Sequence, residues 1–365
     1  MKFLLAAIGL VLGAHCAMAS ALEMGVNLHD STSTAENAAI AAIMKQRNFK
    51  SARIGLVWDR NESLKHDVAA RIKANGRGSN TQAVLNPQYT FDHSCPQNFA
   101  AVERTAYAQT AGMVDRFKDV ITDFELMNEI TDRPELQAEV PRNSGTDAAM
   151  YEDKPCYATM VAVLKGMTRA IADARTQSGL PLRIILGLSS RDWGFPNFLL
   201  GKGIRWDVTG FHIYPYYTHN SLLSDPWYGA GGPLAQLAKF GKPVHINEFN
   251  CNEIYDPKYR NQPGDVLFEQ CMKSLDRHLG ELRRQTIANI ERIHIYELRD
   301  SQWFTGPESR FGLMYDLTRP KPHLYLATAF AGGELSAAER SQITSRGLFS
   351  ERRATPESDA AWARR

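Results

Sequence analysis

The chain has 365 residues and a hydrophobic content of 44%, enough for a large core and unlike any disordered or fibrous composition. Its 42 basic and 40 acidic side chains leave a formal charge of +2, which speaks against nucleic acid or a membrane surface as partner. Length alone would allow two domains, but parallel α/β barrels of about 250 residues or more form a single unit, and one large domain is the simpler reading.

From Met1-Lys2-Phe3 an apolar run continues to Leu12 and closes on Ala17-Met18-Ala19, the small-x-small pattern that a signal peptidase cuts. Residues 1–19 therefore read as a signal peptide, with the mature chain starting near Ser20. A single spanning helix is the alternative, but the run is shorter than the roughly 20 apolar residues such a helix needs. A periplasmic or secreted protein is expected, with no membrane insertion once the signal is removed. Cys95, Cys156, Cys251 and Cys271 then remain. An even number in an exported chain fits two disulfides, and loop neighbourhood favours Cys95–Cys156 and Cys251–Cys271. Four reduced, buried thiols are the other reading, and no spacing resembles a zinc site.

Along the mature chain, short apolar runs alternate with longer helical patterns, the signature of repeated βα units. Strands are expected at residues 24–29, 51–57, 81–85, 124–128, 183–188, 208–214, 243–248 and 292–298. Eight such units predict a (β/α)8 (TIM) barrel, an α/β fold, over residues 20–333. Between the strands, Ala101, Ala108, Met113 and Phe117 recur at helical spacing, as do Met160, Leu164, Met167 and Ile171, and both sets predict core-facing stripes. After Gly332-Gly333 the chain becomes polar and arginine-rich, so residues 334–365 read as a surface helix followed by a frayed tail.

In such a barrel the working residues sit at the C-terminal ends of strands, where loops and not packing decide the chemistry. The expected tips carry His29 and Asp30 on the first strand, Arg53 on the second, Asn128 and Glu129 on the fourth, His212 and Tyr214 on the sixth and Glu248 on the seventh. Two carboxylates, Glu129 and Glu248, are thereby delivered to one face from non-adjacent strands. Glu125 lies deeper by strand alternation and reads as a structural group. A structural bridge to Arg53 is the bland reading for either tip carboxylate, and His212 is either an orienting group or a satisfied core histidine. His29 could line a site or cap a loop.

The order Asn128-Glu129, His212-Ile213-Tyr214 and Glu248 resembles the retaining glycoside hydrolases of the (β/α)8 clan A, over residues 23 to about 330. Phe124-Glu125-Leu126-Met127-Asn128-Glu129 is similar to the fourth strand of families 39 and 5, which include exopolysaccharide glycosidases. The resemblance implies Glu248 as nucleophile and Glu129 as acid/base in a double displacement. It also implies Arg53 and Tyr214 as donors to the nucleophile, Asn128 as partner of a sugar 2-hydroxyl, and a less polar surrounding that keeps Glu129 protonated. Tyr296 stands where many members carry a sugar-stacking tryptophan. Trp58, Trp193, Tyr216, Tyr217, Trp227, Tyr228 and Trp303 follow strands and are candidates for packing against pyranose faces, with ordinary loop packing as the alternative for each. A poly- or oligosaccharide substrate, a monomeric state and no cofactor are expected. A metal-dependent hydrolase would want clustered histidines on the first strand, which Asn27-Leu28-His29 does not supply. An inert, polysaccharide-binding barrel is the rival from another functional class.

Overall fold

The computed structural model describes residues 22–349, apart from residues 59, 61, 77, 88–94, 96, 97, 217–219, 261–263 and 303. The expected signal peptide, the end of the tail, Tyr217 and Trp303 lie outside the described residues. Eight parallel strands close into one barrel: β1 (Glu23–Asn27), β2 (Ser51–Val57), β3 (Asn80–Asn86), β4 (Asp123–Leu126), β5 (Arg183–Leu188), β6 (Val208–Ile213), β7 (Val244–Phe249) and β8 (Ile290–Ile295). The (β/α)8 fold read from the sequence is the fold observed.

The outward face of the strands is mainly apolar and lies under helices, as with Ala52, Ile54 and Leu56 on β2. Of the two expected helical stripes, Met160, Leu164, Met167 and Ile171 are all buried in helix Pro155–Ser178. In helix Phe99–Phe117 the buried face is Val102, Ala106, Thr110, Met113, Val114 and Phe117, while Ala108 is exposed. The expected stripe was correct at its C-terminal end and out of phase at its start, because alanines are apolar enough to mark either face.

Inside the barrel, charge replaces hydrocarbon. At its lower end Arg183 forms a fork with Asp123 at 2.8 and 2.9 Å, and Arg292 reaches the same carboxylate at 2.7 Å. Burying such ions is costly unless each is paired, and every one of these is. Disulfides join Cys95 to Cys156 and Cys251 to Cys271, with Cα–Cα separations of 4.9 and 5.1 Å. Beyond the barrel, helix Ala337–Thr344 starts in a reciprocal Ser336–Glu339 capping box and buries Ile343. Glu339 also pairs with Arg47 at 2.8 Å, which ties the extension to the barrel floor.

Candidate active site

Two local departures from regular strand geometry build the site. The β4 strand stops at Leu126, and Met127 and Glu129 both take left-handed backbone, at φ 58° and φ 43°. Neither is a glycine, so each conformation costs about 1–2 kcal/mol and must be held by its surroundings. The kink turns Glu129 up toward solvent, with its side chain 32% exposed, while Glu125 stays fully buried below.

On β7 the register against β6 slips: Phe211 pairs with Ile246, and His212 pairs with Glu248. Asn247 is the extra residue of a β-bulge, which breaks strict alternation. Asn247 and Glu248 can thus both face the interior. Asn247 accepts from Gln82 at 2.9 Å inside the barrel, and Glu248 sits one layer higher, among the tip residues. Glycine makes room for this polar layer. A Cβ on Gly210 would lie 2.1 Å from the Asn247 amide, and one on Gly187 would lie 2.4 Å from a Glu125 oxygen.

Arg53 is the hub. Its Nε and Nη2 donate to Glu125 at 2.7 and 3.0 Å, its Nη1 to Glu248 at 2.7 Å and to Asn27 at 3.0 Å, and its Nη2 also to Asn128 at 2.6 Å. The second Glu248 oxygen accepts from the Tyr214 hydroxyl at 2.5 Å. Both oxygens of Glu248 therefore have charged or hydroxyl donors. Burial pushes the Tyr214 phenol far up, and the adjacent Glu248 charge adds to this, so the group stays a donor.

His212 connects the two carboxylates. Its Nδ1 is 2.9 Å from Glu129 and 3.4 Å from Glu248, and its Nε2 faces the Arg53 guanidinium at 3.4 Å. Arginine only donates, so in the neutral ring Nε2 is the acceptor and Nδ1–H donates to Glu129. Burial works against a charged His212, yet Glu248 and Glu129 together shift it upward. Burial by itself would raise Glu129, but the His212 hydrogen bond and charge, helped by Arg142 and Arg53, hold its carboxyl below the ordinary range. This corrects the expectation of a weakly polar, protonated Glu129: its carboxyl accepts a hydrogen bond from His212.

One oxygen of Glu129, one of Glu248 and a His212 nitrogen all lie within 4.8 Å of one another. Three such atoms could in principle ligate a cation. Glu248, however, already has a guanidinium 2.7 Å away, and that charge opposes a metal. The second cluster, Cys251, Glu253 and Cys271, has its sulfurs in a disulfide and offers no thiolate.

The structure thus brings together Arg53, Asn128, Glu129, His212, Tyr214 and Glu248. Tyr296 joins them from the end of β8, 6.4 Å from the Tyr214 ring, and His29 packs edge-on to Tyr296 at 5.8 Å. Trp58 is not brought in. Arg53, Gly55 and Val57 take the inward positions of β2, so Trp58 points outward, against Gly112 of helix Phe99–Phe117 and 5.5 Å from the Arg116 guanidinium. Trp193 is likewise a packing residue, stacked on Phe211 at 5.1 Å with its indole donating to the Tyr228 carbonyl.

Asn27, Gln82 and Glu297 were missed. Asn27 stands beside His29 at the first tip, and Glu297 directly follows Tyr296, so the rule that found the other tips reaches them. Glu297 is buried in contact with His29, and burial pushes its carboxyl up. Gln82 lies mid-strand and gives no such signal. A cavity of about 820 Å³ opens from Glu129 across the loops after β4, β5, β6 and β7, lined also by Arg142, Asn143, Trp227 and Tyr255.

No family model and no curated protein matches the sequence. Among solved structures, the chain is similar to a family 1 β-glucosidase from Thermotoga maritima, with 12% identity and a TM-score of 0.54 over 86% of this chain and 98% of that one. The GH1 β-glucosidase from Exiguobacterium antarcticum is similar at 12% identity and a TM-score of 0.53, over 79% of this chain and 84% of that one. At such identities the likeness establishes the shared (β/α)8 architecture. The two matched structures are family 1 enzymes, and the likeness does not distinguish that family from families 39 and 5, which the sequence motifs resemble.

Proposed function

We propose that the chain is a retaining glycoside hydrolase acting on a β-linked poly- or oligosaccharide. The observation that carries this reading is the pair of carboxylates: oxygens of Glu129 and Glu248 stand within 4.8 Å, one about a third exposed and the other clamped by Arg53 and Tyr214. Retaining enzymes hold the two carboxyls about 5–5.5 Å apart, and inverting ones about 6.5–9.5 Å, to admit a water.

In this reading Glu248 attacks the anomeric carbon, the glycosidic C–O bond breaks, and Glu129 gives its proton to the departing oxygen. Arg53 and Tyr214 keep the nucleophile ionised and aimed. Its charge disappears into the ester of the glycosyl-enzyme, and Glu129, now a carboxylate, takes a proton from the water that releases the sugar. A substrate oxygen arriving at Glu129 competes with the His212 N–H and excludes water, and both effects raise the acid toward the protonated form it needs. Asn128, held by Arg53, has an amide available for a neighbouring sugar hydroxyl.

The two disulfides support an oxidising compartment, periplasmic or extracellular, and an exopolysaccharide is the substrate the motif resemblance favours. Among the described residues no helix is long and apolar enough to cross a membrane. The test is proton NMR of the first product formed from a panel of 4-nitrophenyl β-glycosides and β-linked oligosaccharides. The expected result is release of the β-anomer, abolished in Glu248→Gln. Release of the α-anomer, or binding without turnover across the whole panel, overturns the reading, the second in favour of an inert binding barrel.

A further inference from the structure

The cavity beside Glu129 is asymmetric in charge. Glu129 lines it and Glu248 does not, so it lies on the side of the proton donor, where the departing part of a glycan would sit. Its other charged lining residues are Arg142 and Asp225, and the Asp225 carboxylate is committed to capping the Trp227 backbone N–H at 3.0 Å. Arg142 is different. One Nη is anchored by Asp132 at 2.9 Å, the side chain is half-exposed, and its remaining donors have no partner among the described residues. Asp132 is itself held by the Ser189 hydroxyl at 3.0 Å, so the cation is fixed at its back and open at its front.

The same cavity is also lined by a flat surface. Trp227 is 45% exposed, and Arg191 fixes it by donating to its carbonyl at 3.2 Å with the guanidinium 5.2 Å from the ring. The same Arg191 donates to the Asn143 carbonyl at 2.9 Å, so the loops after β4, β5 and β6 are tied together. A ring platform and an open, planar cationic fork lining one cavity are complementary to a pyranose bearing a carboxylate, since a guanidinium pairs with a carboxylate through two parallel N–H donors.

We propose that the sugar on the leaving-group side of the scissile bond is a hexuronic acid, its carboxylate gripped by Arg142 and its ring packed on Trp227. This deepens the glycosidase reading and rests on it. An acidic glycan is then the substrate class, and the enzyme cuts to the non-reducing side of an acidic residue.

The test uses β-linked disaccharides matched in pairs that differ only in the reducing-side residue: glucose against glucuronate, mannose against mannuronate, galactose against galacturonate. Each is titrated calorimetrically into Glu248→Gln protein, or into Glu129→Gln protein should the first not fold. In at least one pair the acidic member is expected to bind about 10- to 100-fold more tightly, as charge-assisted hydrogen bonds imply. The preference should shrink to within about threefold in an added Arg142→Gln and be partly kept in Arg142→Lys, whose point charge lacks the fork. It should also weaken as salt is raised, because the Arg142 side chain is half-exposed. Equal binding of acidic and neutral members in every pair, or a preference that survives both Arg142 substitutions, overturns the proposal. Hydrolysis of aryl β-glycosides by the unsubstituted protein decides the glycosidase reading separately. Cleavage with no acidic preference sinks only the uronate site, whereas an acidic preference with no cleavage of any substrate sinks the hydrolase and leaves the binding site standing.

Discussion

His212 touches both carboxylates of the proposed pair and therefore sets how their protons are shared. Its Nδ1 lies 2.9 Å from Glu129 and 3.4 Å from Glu248, which makes the titration of the three groups a property of the cluster. Burial raises Glu129, and the His212 hydrogen bond is the largest influence lowering it. The sign follows directly. With the ring removed in His212→Ala, burial dominates, Glu129 keeps its proton to higher pH, and the basic limb of the kcat/KM profile moves upward. A pH profile on an aryl glycoside measures this, and a basic limb that stays in place or moves down would show that another group carries the proton.

At the scale of elements, the strands were legible and their irregularities were not. Short apolar runs marked all eight strands, because a parallel strand covered by helices is largely apolar on its outer face. Strict alternation does not hold in β7. A regular β7 sends Asn247 and Glu248 to opposite faces, whereas the bulge turns both inward. Nothing in Pro243-Val244-His245-Ile246-Asn247-Glu248 announces it, since the bulge is set by what Gly210 on the neighbouring strand leaves open. Trp58 failed for the complementary reason: following a strand in sequence is not the same as facing the site. Arg142 was silent because loop geometry alone decides where a charged side chain points.

The bulge gives an element-scale test. A methyl group at position 210 collides with the Asn247 amide, so Gly210→Ala should destabilise the fold by about 1–3 kcal/mol through overpacking and displace Glu248 from Arg53. Thermal melting and kcat should fall together. An unchanged melting temperature with full activity would mean that β6 and β7 accommodate the extra atom without moving the nucleophile.

For the whole molecule, the polar interior sets the dependence of stability on pH. His245, His294 and His323 are buried and held neutral below their ordinary 6.5, His323 down to about 3. A histidine depressed in the fold contributes stability above 6.5 that is lost as the pH falls. Asp123 and Glu125 are lowered, and Glu291 is lowered to about 2; burial opposes ionisation of the first two, and their arginine partners overcome it. Their contribution is present above the usual carboxylate range and is lost on acidification below about 4.5. His212, shifted upward, has the opposite sign and loses its contribution as the pH rises. Asp132, Asp300 and Glu297, raised by burial, also oppose the trend. Three histidines and three paired carboxylates outweigh these four. The melting temperature should decline from about pH 6.5 downward and more steeply below about 4.5, as scanning calorimetry would show. A melting temperature constant from pH 7 to 4 would contradict it.

The catalytic pair itself is tested most directly by covalent trapping. The protein is incubated with activated 2-deoxy-2-fluoro β-glycosides, which slow release of the sugar more than its capture, and the inactivated chain is digested and weighed. The expected result is one fluoroglycosyl group per chain, located on Glu248, with no label in Glu248→Gln. A label on Glu129 or elsewhere, or turnover of these compounds with inversion and no adduct, would contradict the assignment of Glu248 as nucleophile.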